Sequence, residues 1–170
     1  MTTSVLVGYA TGYGSTQEVA ETVAETLRES GLAVDVKPVG DVSTLAEYDA
    51  VVLGAPLFMF KWHKDAHGFL SRYREVLTEL LVAVFALGPV HDPHDDQEWQ
   101  DSWGQLKKEL AKHPWLEPVN LELFGGKYAP EKLRFPLKMF AGSEPASDIR
   151  DWNAIRAWAG DLAAQLGPEG

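Results

Sequence analysis

Cysteine is absent from this 170-residue chain, so disulfide frameworks, thiolate metal sites and cysteine nucleophiles are all excluded. Long hydrophobic runs are absent too, because the longest one, from Leu80 to Leu87, is far too short to cross a bilayer. The N-terminus has no basic region followed by an apolar run and a small-residue cleavage site. We therefore expect a cytoplasmic protein with no stable membrane insertion.

Positive charge is scarce, because 15 lysine and arginine residues stand against 25 aspartate and glutamate residues, for a formal charge of −10. Such a charge repels nucleic acid and favours encounter with basic partners. The hydrophobic content of 45% is enough for a sizeable core. The length fits one domain over residues 1–170.

A glycine-rich turn near the N-terminus joins a predicted strand to a predicted helix. Residues 4–9 favour a buried strand, residues 10–16 are small, hydroxylic or glycine, and apolar residues then recur at helical spacing. Ser15 and Glu18 have the spacing of a capping box, which predicts that the helix begins there.

This turn lacks the marks of two large classes of nucleotide-binding loop. It has no lysine before Ser15, which excludes a nucleotide triphosphatase loop, and after Gly12 and Gly14 the third glycine of a dinucleotide-binding motif is missing. Backbone N–H groups at the helix N-terminus, with the hydroxyls of Thr11, Ser15 and Thr16, suit one terminal monophosphate. The alternative is an ordinary turn that Ser15 caps.

Burial patterns predict the order of the strands. Residues 4–9, 50–55 and 81–87 are apolar throughout and should be covered on both faces, whereas residues 33–37 and 119–124 alternate as edge strands do. Right-handed crossovers then give an α/β three-layer fold with a parallel sheet in the order 2-1-3-4-5. The loops after the first and third strands face each other across a crevice.

The segment from Tyr9 to Thr16 resembles the phosphate loop of flavodoxins, which bind flavin mononucleotide (FMN). In that family's pattern Thr11, Gly14 and Thr16 match. Gly12 and Tyr13 stand where flavodoxins often carry threonine. The resemblance covers nearly the whole chain and implies a flavodoxin-like three-layer sandwich with five parallel strands. It also implies one non-covalently bound FMN, with its phosphate on the matching residues Thr11, Gly14 and Thr16 and on Gly12, Tyr13 and Ser15.

The isoalloxazine ring of FMN needs flat apolar walls and a few backbone groups, and two further loops offer both. Phe58, Phe60 and Trp62 are the wall candidates, although one or more could pack in the core instead. Lys61 could place a cation near the ring or could be a solvated surface lysine. The expected ring-binding residues are Pro56, Leu57, Phe58, Phe60, Lys61 and Trp62 in one loop, and Leu87, Gly88, Pro89 and Val90 in the other.

Histidines occur in two places where a metal could be considered. His63 and His67 are four residues apart, and residues 91–96 contain two histidines and three aspartates. Neither place has a complete tetrahedral set by local spacing, so we expect surface histidines and no metal site. Serine hydrolysis is disfavoured because no Gly-x-Ser-x-Gly turn is present.

Residues 52–55, 85–88, 124–128 and 151–152 resemble the flavodoxin-domain branch that includes menaquinone-dependent protoporphyrinogen oxidases. Members of that branch bind FMN and pass electrons between a reduced substrate and a quinone. The resemblance implies an FMN-dependent oxidoreductase of the protoporphyrinogen oxidase or quinone-linked kind. A one-electron carrier that serves a redox partner protein, and a flavin-free adaptor, are the alternatives.

The segment from Lys127 to Phe140 has a charge opposite to that of the whole chain. Four basic residues against one acidic residue give it a net charge of +3, and apolar residues alternate with the cations. It follows the fifth predicted strand, on the cofactor side of the sheet. We expect this segment to contact the electron partner, quinone or porphyrinogen through Lys127, Tyr128, Lys132, Arg134 and Lys138, the alternative being a structural cover.

Overall fold

The computed structural model describes residues 2–11, 14–59, 61–129 and 146–167. Its centre is a sheet of five parallel strands and one short antiparallel strand. The parallel strands lie side by side in the order β2-β1-β3-β5-β6, and the antiparallel strand β4 pairs with β3. The bounds are β1 (Ser4–Tyr9), β2 (Ala33–Pro38), β3 (Ala50–Phe58), β4 (Lys61–Trp62), β5 (Leu81–Leu87) and β6 (Asn120–Phe124).

The predicted strand order is confirmed, because the five parallel strands are the five predicted ones in the predicted arrangement. The register of β1 pairs Val5 with Val34 on one side and with Ala50 on the other. Strands β2 and β6 are the edges, as their alternating sequences indicated.

Helices cover both faces of the sheet. The helices are α1 (Ser15–Glu29), α2 (Lys64–Arg72), α3 (Arg74–Thr78), α4 (Asp96–Leu110) and α5 (Trp152–Leu166). Val5 and Val7 share one buried cluster with α1 and α5, whereas Leu6 and Leu53 share the other with α2, α3 and α4. The result is three layers with two cores, because successive strand residues point to opposite faces.

Two local features differ from the sequence prediction. Residues 56–62 are not a loop, because β3 continues to Phe58 and turns back as β4, with Leu57 opposite Trp62. A separate small sheet pairs β7 (Lys127–Tyr128) with β8 (Ser147–Asp148).

In the part of the chain that the structure describes, no helix is long and apolar enough to cross a membrane.

Parallel strands end at the same edge of the sheet, so residues after β1, β3 and β5 converge there. Thr11 and Gly14 after β1, Pro56 to Phe58 at the end of β3, and Gly88 to Val90 after β5 lie at this edge.

Candidate functional site

The turn after β1 leads to an uncapped helix N-terminus. Thr11 Oγ1 accepts a hydrogen bond from the Gly14 N–H at 2.8 Å. Gly14 has φ 91°, a left-handed conformation that favours glycine, and it precedes the first residue of α1. Gly12 and Tyr13 lie outside the described residues.

The capping-box prediction was wrong. Ser15 is the first helical residue rather than the cap, and the cap position makes no side-chain hydrogen bond. Glu18 bonds instead to Arg150, at 3.0 Å from Glu18 Oε1 to Arg150 Nη1. The N–H groups of the first turn therefore lack the side-chain acceptor that a capping residue provides.

Thr16 places a buried hydroxyl in this first turn. The residue is 0% exposed, and its Oγ1 atom has no hydrogen-bond partner among the described residues. A buried hydroxyl without a partner is costly, so this position favours an added acceptor. An anion at the N-terminus of α1 would supply one.

Arg150 joins the C-terminal part of the chain to this helix end. Its side chain is 4% exposed and donates to the Ser15 carbonyl at 3.2 Å and to Glu18. It also makes two bonds to Asp148, at 2.9 and 2.8 Å. These bonds lower the pKa of the Asp148 carboxyl below its ordinary value, so the pair is ionised at neutral pH.

The hairpin of residues 57–62, which we call the ring hairpin, stands beside the turn after β1. At its tip Phe58 is 43% and Met59 is 62% exposed. Met59 has φ 50°, which is uncommon for a residue with a side chain and occurs often at functional sites. Lys61 is exposed opposite Phe58, and Phe60 lies outside the described residues.

The turn after β5 is held by hydrogen bonds from α4 and from the end of β6. The N–H groups of Val90 and His91 donate to the Glu98 carboxylate at 3.1 and 3.2 Å. The Gly88 N–H donates to the Phe124 carbonyl at 3.0 Å. Residues 88–91, which we call the third loop, are thereby fixed in place.

A cavity of about 380 Å³ lies between the ring hairpin and the third loop. Leu57 and Met59 give it an apolar wall, and α4 contributes Glu98 and Asp101. His91 lines the same cavity, with its Nδ1 atom 2.7 Å from Glu98 Oε2. The cavity therefore combines an apolar surface with a negative rim and a titratable pair.

A family model described as a flavodoxin domain matches residues 6–139. The chain belongs to this family. Among solved structures, a flavodoxin from the domain Archaea has the same fold, with a TM-score of 0.59 at 14% identity, covering 96% of this chain and 98% of that chain.

Curated relatives named NAD(P)H dehydrogenase (quinone) match parts of this flavodoxin-domain chain. The protein of Caulobacter vibrioides (strain NA1000 / CB15N) is 35% identical over 74 residues, 31% of this chain and 37% of the relative. That of Cupriavidus metallidurans is 37% identical over 90 residues, 40% of this chain and 45% of the relative. The matches therefore span less than half of these relatives' length.

The family implies a flavin cofactor, and the residues at the helix N-terminus fit a phosphate group. Within the described ranges the Thr16 hydroxyl has no partner and the N-cap residue Gly14 makes no side-chain hydrogen bond, so both could bind a phosphate. The predicted positions Pro56, Leu57 and Phe58 lie at the end of β3, on the same sheet edge. Pro89 and Val90 reach that edge from β5.

Trp62 does not belong to the ring wall. It is 2% exposed, and its indole N–H donates to the Ala55 carbonyl at 3.0 Å. Its ring meets His67 edge to face, with 5.6 Å between the centroids. The side chain belongs to the buried cluster that α2 and α4 cover, and its 2% exposure leaves almost no surface for a ligand.

Two predicted residues of the β5 end serve packing. Leu87 is 2% exposed. A Cβ atom on Gly88 would lie 3.0 Å from Leu123 Cδ1 and 3.3 Å from the Ser102 side chain. Glycine at position 88 therefore allows β5 to pack closely against α4 and β6, in addition to lining the cavity.

The basic segment is described only at its start. Lys127 is exposed and Tyr128 is half-buried, and both pair with β8. Lys132, Arg134 and Lys138 lie outside the described residues. The segment's role in contacting a partner thus stays a prediction.

A histidine pair, with His113 buried and His67 half-buried, lies behind the ring hairpin. His67 Nδ1 is 2.7 Å from His113 Nε2, and His67 Nε2 is 3.3 Å from Glu109 Oε1. No group of three or more His, Cys, Asp or Glu side chains in the described ranges could hold a metal ion. Burial, followed by the neighbouring charges of His67 and Lys112, lowers the pKa of His113 below 6.5.

This lowered pKa predicts acid sensitivity. Between the folded pKa and 6.5, only the unfolded state binds a proton on His113, so stability falls as pH falls through this window. We expect the melting temperature of the unaltered protein to drop from pH 7 to pH 5, and to drop less in His113→Gln. His94→Gln, at a side chain 61% exposed, is the control and should keep the original slope.

Proposed function

We propose that this protein binds one FMN and reduces a quinone by two electrons. The observation that carries the FMN assignment is the Thr16 hydroxyl at the N-terminus of α1, which is buried and has no hydrogen-bond partner among the described residues. The partial identity to proteins named NAD(P)H dehydrogenase (quinone) supports the quinone as acceptor.

Thr11, Gly14, Ser15 and Thr16 would hold the phosphate, Thr16 by donating its hydroxyl hydrogen and the first turn by its N–H groups. Gly12 and Tyr13 belong to the same proposed site. Phe58 and Met59 would cover the ring, and Lys61 stands beside them.

The cavity beside the ring hairpin, part of which the flavin ring would fill, suits an uncharged aromatic acceptor. Its apolar wall can pack against a quinone ring, whereas the carboxylates of Glu98 and Asp101 disfavour an anionic compound. His91 and Glu98 line the same cavity, and His91 would be a nearby proton donor for a bound quinone.

The proposed reaction balances with NAD(P)H as the reductant. The quinone gains two electrons and two protons to become a hydroquinone, NAD(P)H loses a hydride, and solvent supplies the second proton. FMN, when bound, supplies the two-electron redox chemistry. The protein binds and orients both reactants and keeps water away from the apolar wall.

The test is to load the purified protein with FMN and measure anaerobic quinone reduction with NADH and with NADPH. Direct turnover with either nucleotide is the expected result. If turnover requires an added NADPH-dependent flavoprotein reductase, the chain is instead a one-electron carrier for a redox partner protein. If no flavin binds at all, the flavin-free adaptor replaces the proposal.

Protoporphyrinogen oxidation, which the sequence resemblance implied, is a narrower version of the same proposal. The names of the matched relatives refer to quinones and do not mention porphyrinogen. Protoporphyrinogen should therefore be assayed as a second substrate, with the quinone as electron acceptor. Formation of protoporphyrin at a rate comparable to that of quinone reduction with NAD(P)H would narrow the function to this oxidation.

The basic segment is proposed to bind the acceptor or partner. Replacing Lys132, Arg134 and Lys138 with serine should lower turnover about tenfold while FMN stays bound, because attraction of a partner depends on such charges. The control replaces Lys64, Arg72 and Lys108, which are exposed on α2 and α4 and carry the same charge. Equal turnover in the two triple variants would show that the segment is only a structural cover.

A further inference from the structure

The ring hairpin is held from behind by a buried carboxylate on α4. Glu109 is 5% exposed, and its Oε1 atom accepts the backbone N–H of Trp62 at 2.7 Å. The two residues are 47 positions apart in the sequence. Strand β4 has only two residues, and the Trp62 N–H finds its acceptor in a side chain rather than in a neighbouring strand.

The Glu109 carboxylate is charged, and both of its oxygens have partners. Burial opposes its ionisation, but hydrogen bonds from Lys112, Trp62 and His67 outweigh burial and lower its pKa below the ordinary value. Lys112 Nζ pairs with the other carboxylate oxygen, Oε2. His113 supports His67 from behind through the 2.7 Å contact between their ring nitrogens.

Such a network is a poor way to gain stability alone. Well-packed apolar side chains of similar volume often stabilise a fold as well as a buried ionic network does. The network has a different property, since a directional bond from a rigid helix allows only one position of β4. Two further bonds hold the same base, from the Trp62 indole to Ala55 and from the His63 N–H to Pro56 at 3.1 Å.

We propose that Glu109 is a positioning residue for the flavin ring, which sets the distance and tilt of the ring hairpin without touching the cofactor. The inference rests on the proposed FMN site. Glu109 bonds to Trp62, and Trp62 pairs with Leu57 at the start of the exposed tip. A shift of this base moves Phe58 and Met59 together.

The phosphate end of the site should not depend on Glu109, because α1 packs on the opposite face of the sheet. Riboflavin, which has the ring but no phosphate, separates the two ends. Replacement of Glu109 should weaken the binding of riboflavin and of FMN by the same factor. A substitution in the phosphate loop should weaken the binding of FMN but not that of riboflavin.

The experiment measures riboflavin and FMN dissociation constants and the visible spectrum of the bound flavin. Glu109→Leu removes the acceptor, and we expect affinity for both ligands to fall about tenfold, because a hairpin that is no longer held in its binding position must be ordered when the flavin binds. Glu109→Gln keeps an acceptor oxygen and should lose about threefold or less. The bound spectrum of the Leu variant should move toward that of free flavin.

Two controls separate positioning from general destabilisation. Leu77→Ala removes a 2% exposed side chain from α3, which leads into the amino end of β5, away from the site. It should lower the melting temperature without changing riboflavin affinity. Glu117→Gln removes an exposed carboxylate and should change neither quantity.

Equal riboflavin affinity in the Leu variant and the unaltered protein would overturn the inference and leave the FMN site intact. A loss of riboflavin affinity in Leu77→Ala as large as that in Glu109→Leu would overturn the inference as well. If Glu109→Leu fails to fold, Glu109→Gln carries the comparison, and an unchanged spectrum and affinity there count against the role. Failure of the unaltered protein to bind either flavin would overturn this inference and the proposed function together.

Discussion

Replacing Gly14 with glutamate is expected to weaken FMN binding by on the order of 100-fold. The new carboxylate would stand at the N-terminus of α1, beside the Thr16 hydroxyl, where the phosphate is proposed to bind. Charge repulsion and loss of one or two charge-assisted hydrogen bonds account for this size. Titration of the protein with FMN, followed by quenching of flavin fluorescence, measures the effect.

The chain contains a matched control for this substitution. Gly31 follows the other end of α1 and has φ 93°, close to the 91° of Gly14, with no atom within 4 Å of an added Cβ in either case. Gly31→Glu therefore adds the same strain and charge away from the site. FMN affinity should be unchanged in Gly31→Glu, and riboflavin affinity should be unchanged in both variants. Unchanged FMN affinity in Gly14→Glu would refute the phosphate assignment.

Replacing Arg150 with methionine is expected to lower the free energy of unfolding by about 2 kcal/mol. Removing one partner of a buried ion pair costs roughly 3–5 kcal/mol, but the side chains of Glu18 and Asp148 are 57% and 41% exposed, and water screens what remains. The melting temperature should fall by roughly 4–8 °C. Calorimetry at pH 7 measures this difference.

The pH dependence of the Arg150 effect gives a second check. The pKa of Asp148 is lowered by Arg150, so the contribution is present above 3.8 and is lost as pH falls through the lowered value. The difference between Arg150→Met and the unaltered protein should therefore shrink in strong acid. Arg156→Met, at an exposed position of α5, serves as the control and should melt like the unaltered protein.

Strand order could be predicted from the sequence because it depends on local patterns, and the proposed site lies at the sheet edge that this order defines. Continuous apolar runs at β1, β3 and β5 require burial on two faces, and alternation at β2 and β6 marks edges. Because βαβ crossovers are right-handed, these burial patterns allow few strand orders. The glycine and hydroxyl residues proposed to bind phosphate are neighbours in the sequence between β1 and α1, so a sequence pattern is enough to suggest them.

Tertiary structure alone decided which side chains serve the site and which serve the core. Trp62 and Phe58 look alike as aromatic residues of one segment, yet Trp62 is 2% and Phe58 is 43% exposed. Arg150 and Glu18 are 132 residues apart, and Glu109 and Trp62 are 47 apart, so no local spacing could relate them. A hydrogen bond depends on where two chain segments meet in space, and packing of the helices on the sheet determines that meeting.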